Sequence, residues 1–321
     1  MNGARHWLVS TVLGLAVSAG MLWWLLSGEA VDALVRSLHG AQPWRLGLAL
    51  LLVPTIEYLR AWRFELLRTG RMGPPGWRMF LLAARLVMFT LAFPFRLGDL
   101  SFPVMMKRAF GTPLMQGAGI LVLARVLDAS VLAGALLLAA AALLDPAVVG
   151  WSRPALLAAA VAALAAPFLG VMVLTRWRPL FGPPSLAALI DRLLWGVTML
   201  RAAPQSALAF ALSVAVWAVH FVVAWLAVTA VTDALDPLRV ALAAAASYLA
   251  FAVPVPYVAG LGPPQAAWAA ALNLAGIGWE TAIVTALTAH GVLLIGPVGL
   301  GLATFLLRGP ALPRSRQAAG G

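Results

Sequence analysis

Phe93-Pro94-Phe95-Arg96-Leu97-Gly98-Asp99 interrupts an apolar region that otherwise runs over residues 78–112. A second interruption, Pro254-Val255-Pro256 followed by Gly260-Leu261-Gly262-Pro263-Pro264, divides residues 238–276 in the same way. Each break leaves two arms of about 12–17 residues, short of the ~20 that a helix needs to cross a hydrocarbon core. Proline removes a backbone donor and glycine admits unusual dihedrals, so both breaks are expected to be non-helical. Non-helical backbone survives at membrane depth only when it is buried in protein or lines a wet cavity. Two re-entrant helical hairpins satisfy that demand; two kinked helices are the plainer alternative.

Outward from the breaks, six segments are long and apolar enough to span a bilayer: residues 7–27, 45–67, 114–144, 154–175, 205–231 and 279–307. Of the 321 residues 63% are hydrophobic and 10% charged, against about 25% charged in soluble domains. Such a chain cannot clothe a globule in polar surface, and the fold class expected is an all-α polytopic membrane protein. The run from Trp7 to Leu26 exceeds the roughly 7–15 residues of a signal-peptide core, so it reads as a retained first helix. Residues 185–201 place Leu186, Leu189, Ile190, Leu193, Leu194, Val197 and Leu200 on one helical face, as an interfacial amphipathic helix would. Residues 1–308 form one membrane domain in this reading, and 309–321 a disordered cytoplasmic tail.

The net charge of +11 fits cytoplasmic loops facing anionic headgroups. With both termini inside, the inner segments hold thirteen basic residues, including Arg68, Arg71, Arg78, Lys107, Arg108 and Arg308. The outer segments hold four: Arg36, Arg45, Arg153 and Arg239. That asymmetry sets the orientation. Nucleic acid is a poor partner, because the charges are scattered among apolar spans instead of gathered in a basic domain. With no cysteine there is no disulfide, thiol catalysis or Cys-ligated metal.

Pro94 and Pro254 lie 160 residues apart. Span, span, broken hairpin, span occurs twice, over about 7–144 and 154–307, and the two hairpins enter from opposite sides. This is the pattern of an inverted repeat, in which paired broken segments point to a binding site at the midplane.

Ionisable residues inside spans cost on the order of 2.5–3.5 kcal/mol each and are functional candidates by default. Arg96 and Asp99 flank Gly98 in the first break. Arg96 suits forked recognition of a phosphate, with Asp99 orienting it or carrying a proton; alternatively, the two simply pin the hairpin. Arg125 and Asp128, at i,i+3, share a face and either bind lipid or neutralise each other. Arg85 is expected to point into the same cavity. On the second span Glu57 and Arg60 make an interior pair, and Arg63 is expected to snorkel to the interface. In the second half Gly260, Gly262, Gln265, Asn273, Glu280 and His290 are the candidates, with His220 and His290 more readily read as satisfied interior histidines than as a proton relay. No metal-ligand spacing, nucleophile–base motif or dinucleotide loop appears, so neither a cofactor nor catalysis is expected.

The first break together with Arg125-Val126-Leu127-Asp128, with Arg60-Ala61-Trp62-Arg63 and with Pro254-Val255-Pro256 leading to Gly260-Leu261-Gly262, resembles the flippase-like membrane-domain family. That family includes the membrane region of lysylphosphatidylglycerol synthases. The resemblance runs from about residue 7 to 308. It implies a protein of the bacterial or archaeal cytoplasmic membrane that handles lipids: aminoacylated phospholipid, hopanoids or polyprenyl-linked glycan precursors. The synthases also carry a soluble aminoacyltransferase domain; with thirteen residues after Arg308, this chain is not expected to aminoacylate lipid alone. Asp99 stands where the family's first motif usually has Glu, and Pro264 and Gln265 where its second usually has Arg-Glu. His290 stands where an Arg is common.

Three functions follow as expectations. The first is a lipid transporter, binding an anionic headgroup in a polar cavity while the tails stay in the bilayer. The second is a non-catalytic partner of an envelope-lipid or glycan-synthesis enzyme. The third is a membrane-embedded glycosyltransferase.

Overall fold

A computed structural model describes residues 30–177, 203–232, 235–252 and 260–306, with isolated positions 16, 19, 20, 23, 194 and 195. Most of the predicted first span, most of the predicted amphipathic helix, Pro254-Val255-Pro256 and the C-terminal tail lie outside these residues, as does the side chain of Arg96. The described chain is helical throughout. Its principal elements are α1 (Ala30–His39), α2 (Pro43–Thr69), α3 (Trp77–Ala92), α4 (Ser101–Phe110) and α5 (Leu114–Leu143). There follow α6 (Arg153–Trp177), α7 (Ala203–Thr229), α8 (Pro237–Ala252), α9 (Pro263–Leu274) and α10 (Trp279–Leu306).

Among the described residues four helices are long and apolar enough to cross a membrane: α5, α6 through Val173, α7 and α10. Helix α2, with 27 residues, has the length but carries Arg45, Glu57, Arg60, Arg63, Glu65 and Arg68. Glu57, Arg60 and Arg63 are buried in the protein, where an intramembrane charge is tolerated.

The first break differs from expectation. Pro94–Leu100 is a 3-10 helix, so the segment is not free of helical structure. The α-helical run stops at Phe93, which is extended at φ −103° and ψ 136°, as the residue before a proline tends to be. Pro94 then takes the first position of the tighter helix, where its missing N–H has no partner to lose. Gly98 lies directly on the backbone of Phe89 and Thr90, leaving no room for a β-carbon. The break therefore folds back against α3, and any side chain at Gly98 would prise the two apart. At the second break Gly260 (φ 71°) and Gly262 (φ 107°) hold positive φ, which glycine alone adopts at little cost.

Helices α2 and α7 pack together along their length and run antiparallel. Arg45 near the start of α2 donates to the Thr229 carbonyl at the end of α7 (2.7 Å), and Gln42 N–H to Ala230 O (2.8 Å). Toward the other end Arg63 of α2 meets Ser213 of α7. Around this central pair α5 packs on α8 and α10 on α3, while α4 rests on α5 and α9 on α10. One apolar core joins α8, α9 and α10 to α5 and α7; another joins α2, α3, α4 and α5.

Candidate functional site

Between these layers lies a cavity of about 650 Å³. Glu57 and Arg60 reach it from α2, Thr90 from α3, Asp99 from the 3-10 turn, and Arg125 and Asp128 from α5. Trp217 and His220 of α7, Tyr248 of α8, Pro264 and Trp268 of α9 and His290 of α10 form the opposing side. Most of the remaining wall is aliphatic. Both breaks thus reach one chamber: the first through Asp99, the second through Pro264 at the head of α9.

Asp128 takes a closer partner than the one the sequence suggests. Arg63 is fully buried, where snorkelling to the interface was expected. Its guanidinium grips Asp128 with two bonds, Nη1 to Oδ1 at 2.5 Å and Nη2 to Oδ2 at 3.0 Å, and Nη1 also donates to Ser213 Oγ at 2.7 Å. Trp217 Nε1 donates to the same Asp128 oxygen at 3.0 Å. One carboxylate thereby ties α2, α5 and α7 together through a planar fork that a lysine could not reproduce. The expected i,i+3 partner of Asp128, Arg125, stands farther off at 3.8 Å.

Arg125 instead reaches across to the first break, its Nη2 2.9 Å from Asp99 Oδ1, with Thr90 Oγ1 2.6 Å from the same oxygen. It is the more solvent-accessible of the two described arginines that line the cavity: its side chain is 30% exposed, against 8% for Arg60. Glu57 and Arg60 form the interior pair, Arg60 Nη1 donating to Glu57 Oε1 at 2.5 Å. That bond leaves Glu57 Oε2 and Arg60 Nε without a hydrogen-bond partner, as are Arg125 Nε and the Tyr248 hydroxyl.

Other predicted residues stand elsewhere. Arg85 points away from the cavity, donating to Thr304 Oγ1 (3.0 Å) and Thr304 O (2.7 Å) on α10. Gln265 is turned onto its own loop: its Oε1 accepts from Gly262 N–H (2.6 Å) and its Nε2 donates to Gly260 O (3.2 Å). Gly260 packs against Phe251 and His290, which leaves little space for a β-carbon. Asn273 is exposed and reaches Ile277 O at 3.3 Å; Glu280 faces Arg36 at the surface. His220 uses Nδ1 on Val216 O (2.8 Å) and packs tilted against Trp217 and edge-on to Tyr248. Arg63, Thr90, Trp217 and Tyr248 complete the charged and aromatic surroundings without having been singled out as site residues. For Arg63 the signal was present, since it extends the Glu57–Arg60 stripe by three residues.

An all-helical chain with several apolar helices and ion pairs enclosed among them is a multi-pass membrane protein with an internal polar chamber. Residues 11–301 match the family described as the lysylphosphatidylglycerol synthase TM region, and the chain belongs to it. Membership places it among membrane proteins of lipid metabolism. Comparison with curated proteins gives no match.

Proposed function

We infer that this protein moves an anionic phospholipid or polyprenyl-phosphate lipid between the leaflets of the cytoplasmic membrane, without covalent catalysis. The observation that carries the reading is Arg125, an accessible cation held between Asp99 of the first break and Asp128 of the α2–α7 lock. A phosphate entering the chamber competes with Asp99 for that guanidinium and finds the spare Nε donors of Arg125 and Arg60 beside it. The aliphatic walls suit the glycerol and upper acyl segments. Asp99, once released, orients the headgroup or takes up a proton, and Arg96 belongs to the same break as a further phosphate ligand.

The movement we propose is a rocking of two inverted repeats, with the helix–break–helix units as re-entrant hairpins. Element lengths support it: α2, α3, α4 and α5 have 27, 16, 10 and 30 residues, and α7, α8, α9 and α10 have 27, 16, 12 and 28. Packing supports it independently. Exchanging α2 with α7, α3 with α8, α4 with α9 and α5 with α10 maps the contact α5–α8 onto α10–α3, and α4–α5 onto α9–α10. The antiparallel α2–α7 pair lies on the axis of that exchange. Together with the charge bias, this supports a topology with both termini in the cytoplasm.

The test is leaflet exchange of fluorescent lipids in proteoliposomes. Anionic lipid is expected to exchange faster than zwitterionic lipid, and Arg125→Gln to slow it roughly tenfold or more, the worth of a charge-assisted hydrogen bond. Arg96→Ala is expected to act in the same direction. Absence of exchange with any headgroup, with or without a proton gradient, sinks the reading. Stable co-purification of an envelope-synthesis enzyme would then favour the partner-subunit alternative.

A further inference from the structure

We propose that the chamber recognises uncharged hydroxyl groups beyond the phosphate, so that its ligand is a phosphoester with a polyol headgroup. This deepens the reading of the chamber as an anionic-headgroup site and rests on it, but not on movement of the lipid. A phosphodiester accepts hydrogen bonds and donates none. It can satisfy Arg125 Nε and Arg60 Nε, the unpartnered donors of the two described arginines that line the chamber. The acceptors of the chamber gain nothing from it. Glu57 is the clearest of these: its side chain is buried, Oε1 accepts from Arg60 Nη1 at 2.5 Å, and Oε2 has no partner. A carboxylate oxygen has lone pairs only, so whatever satisfies Oε2 must bring a donor. The Tyr248 hydroxyl, on the opposing side, is likewise without a partner and can give a bond or take one. His220, its ring 5.3 Å from that of Tyr248, has Nδ1 on the Val216 carbonyl. A carbonyl only accepts, so Nδ1 carries the proton and any lone pair of that ring is at Nε2.

The donor that fits is neutral. Glu57 is already answered in charge by Arg60, as Asp128 is by Arg63 and Asp99 by Arg125. An ammonium brought to Glu57 would stand beside the Arg60 guanidinium and be repelled by it. A hydroxyl gives Oε2 its bond without that repulsion and can accept from Tyr248 in turn. The position of these groups also follows from contacts. Arg125 Nη1 lies 3.8 Å from Asp128 Oδ2, Asp128 Oδ1 accepts from Trp217 Nε1 at 3.0 Å, and the Trp217 ring centre is 4.6 Å from that of Tyr248. One carboxylate and one indole therefore separate a phosphate at Arg125 from Tyr248, a gap for a headgroup that extends several atoms past its phosphate. Arg125 is at the more accessible end and the Glu57–Arg60 pair at the buried one, so the distal part of the headgroup points inward. The chamber, at about 650 Å³, has the size of a small-molecule site.

The experiment is native mass spectrometry of the full-length protein in detergent, titrated with dioleoyl lipids of equal net charge. Phosphatidylinositol and phosphatidylglycerol carry hydroxyls, phosphatidylethanol carries none, and phosphatidylserine carries an ammonium. The tighter of the two polyol lipids is expected to exceed phosphatidylethanol roughly tenfold or more, because a site that bonds a ligand hydroxyl rejects the analogue lacking it. Tyr248→Phe removes a hydroxyl that makes no bond in the protein, so folding is not at stake. It should weaken the polyol lipid roughly fivefold, the worth of one hydrogen bond, and leave phosphatidylethanol unchanged. Arg125→Gln should weaken all four lipids. Displacement of the polyol lipid by millimolar glycerol 1-phosphate or inositol 1-phosphate would assign the same chemistry to a free phosphoester; retention assigns it to lipid. Equal binding of the polyol lipids and phosphatidylethanol, with all weakened by Arg125→Gln, overturns the polyol proposal alone, as does tightest binding of phosphatidylserine. A Tyr248→Phe loss shared by phosphatidylethanol would make Tyr248 a packing residue and overturn it too. Binding untouched by Arg125→Gln would take the phosphate out of the chamber and overturn both readings.

Discussion

The two breaks reach the same chamber and are held there differently. At the first, Asp99 leaves its own turn and pairs with Arg125 on α5, so the break is joined to a neighbouring helix by charge. At the second, Gln265 spends both ends of its amide on Gly260 and Gly262, so the described end of that break is closed upon itself by neutral bonds. One half of the scaffold therefore carries ion-pair chemistry and the other carries shape. Two breaks that reach one chamber can thus be tied down by different kinds of bond. That difference also separates substitutions that unmake the scaffold from those that alter only what it binds.

The largest effect is expected at the lock beneath the first half. Removing one partner of a buried, fork-bonded pair strands the other charge, at a cost of about 3–5 kcal/mol. Arg63→Ala and Asp128→Ala should each lose that much in unfolding measured in mixed micelles. Arg63→Lys should recover little of it, because a lysine cannot bridge both Asp128 oxygens and Ser213. A loss below about 1 kcal/mol would mean that the pair is wet, like an exposed one, and that α2, α5 and α7 are joined by packing alone.

Next comes Gln265→Ala at the second break. It deprives the Gly262 N–H of its acceptor, and an unsatisfied buried donor costs about 1–3 kcal/mol. Because the described bonds of Gln265 go to its own loop, the folded fraction should retain its preference between anionic and zwitterionic lipid. A change in that preference would give the second break a part in recognition.

The breaks were legible from proline and glycine, and α5, α6, α7 and α10 from apolar length, because both signals are local. The 3-10 form of residues 94–100 was not legible, since it depends on Gly98 lying against the Phe89–Thr90 backbone, a contact between separate turns. The interior charges were visible as types and only in part as pairs: Glu57–Arg60 was legible from its spacing, whereas Arg63–Asp128 and Arg125–Asp99 were not. Spacing along a helix suggests Arg125 with Asp128, yet the tertiary fold brings Arg63 from sixty-five residues away to a shorter bond. Arg85 was equally visible as an intramembrane cation; its orientation toward Thr304 is set by α10, which its own helix cannot foretell.

A smaller effect is expected from Asp99→Asn. The amide keeps the size of the side chain and removes the charge that holds Arg125, so anionic lipid should bind more tightly, by roughly tenfold for about 1.4 kcal/mol of released competition. Equilibrium titration with a fluorescent anionic lipid reads this directly. Weaker binding in Asp99→Asn would mean that Asp99 positions Arg125 for the lipid and does not compete with it.

The smallest effect belongs to the Arg36–Glu280 pair, which joins α1 to the start of α10. Its atoms are 3.6 Å apart and its side chains 66% and 55% exposed, against 2.9 Å, 30% and 19% for Arg125–Asp99. Surface pairs contribute about 0–1 kcal/mol, because water screens them and two long side chains must be held still. A double-mutant cycle with Arg36→Ala and Glu280→Ala should give a coupling at the low end of that range, falling further with added salt. The same cycle on Arg125 and Asp99 should give more and respond less to salt. Should the outer pair prove as strong and as salt-insensitive as the inner one, exposure in the protein would not mean exposure to water there. The hydrocarbon boundary would then lie beyond Glu280, and α10 would be immersed from its first turn.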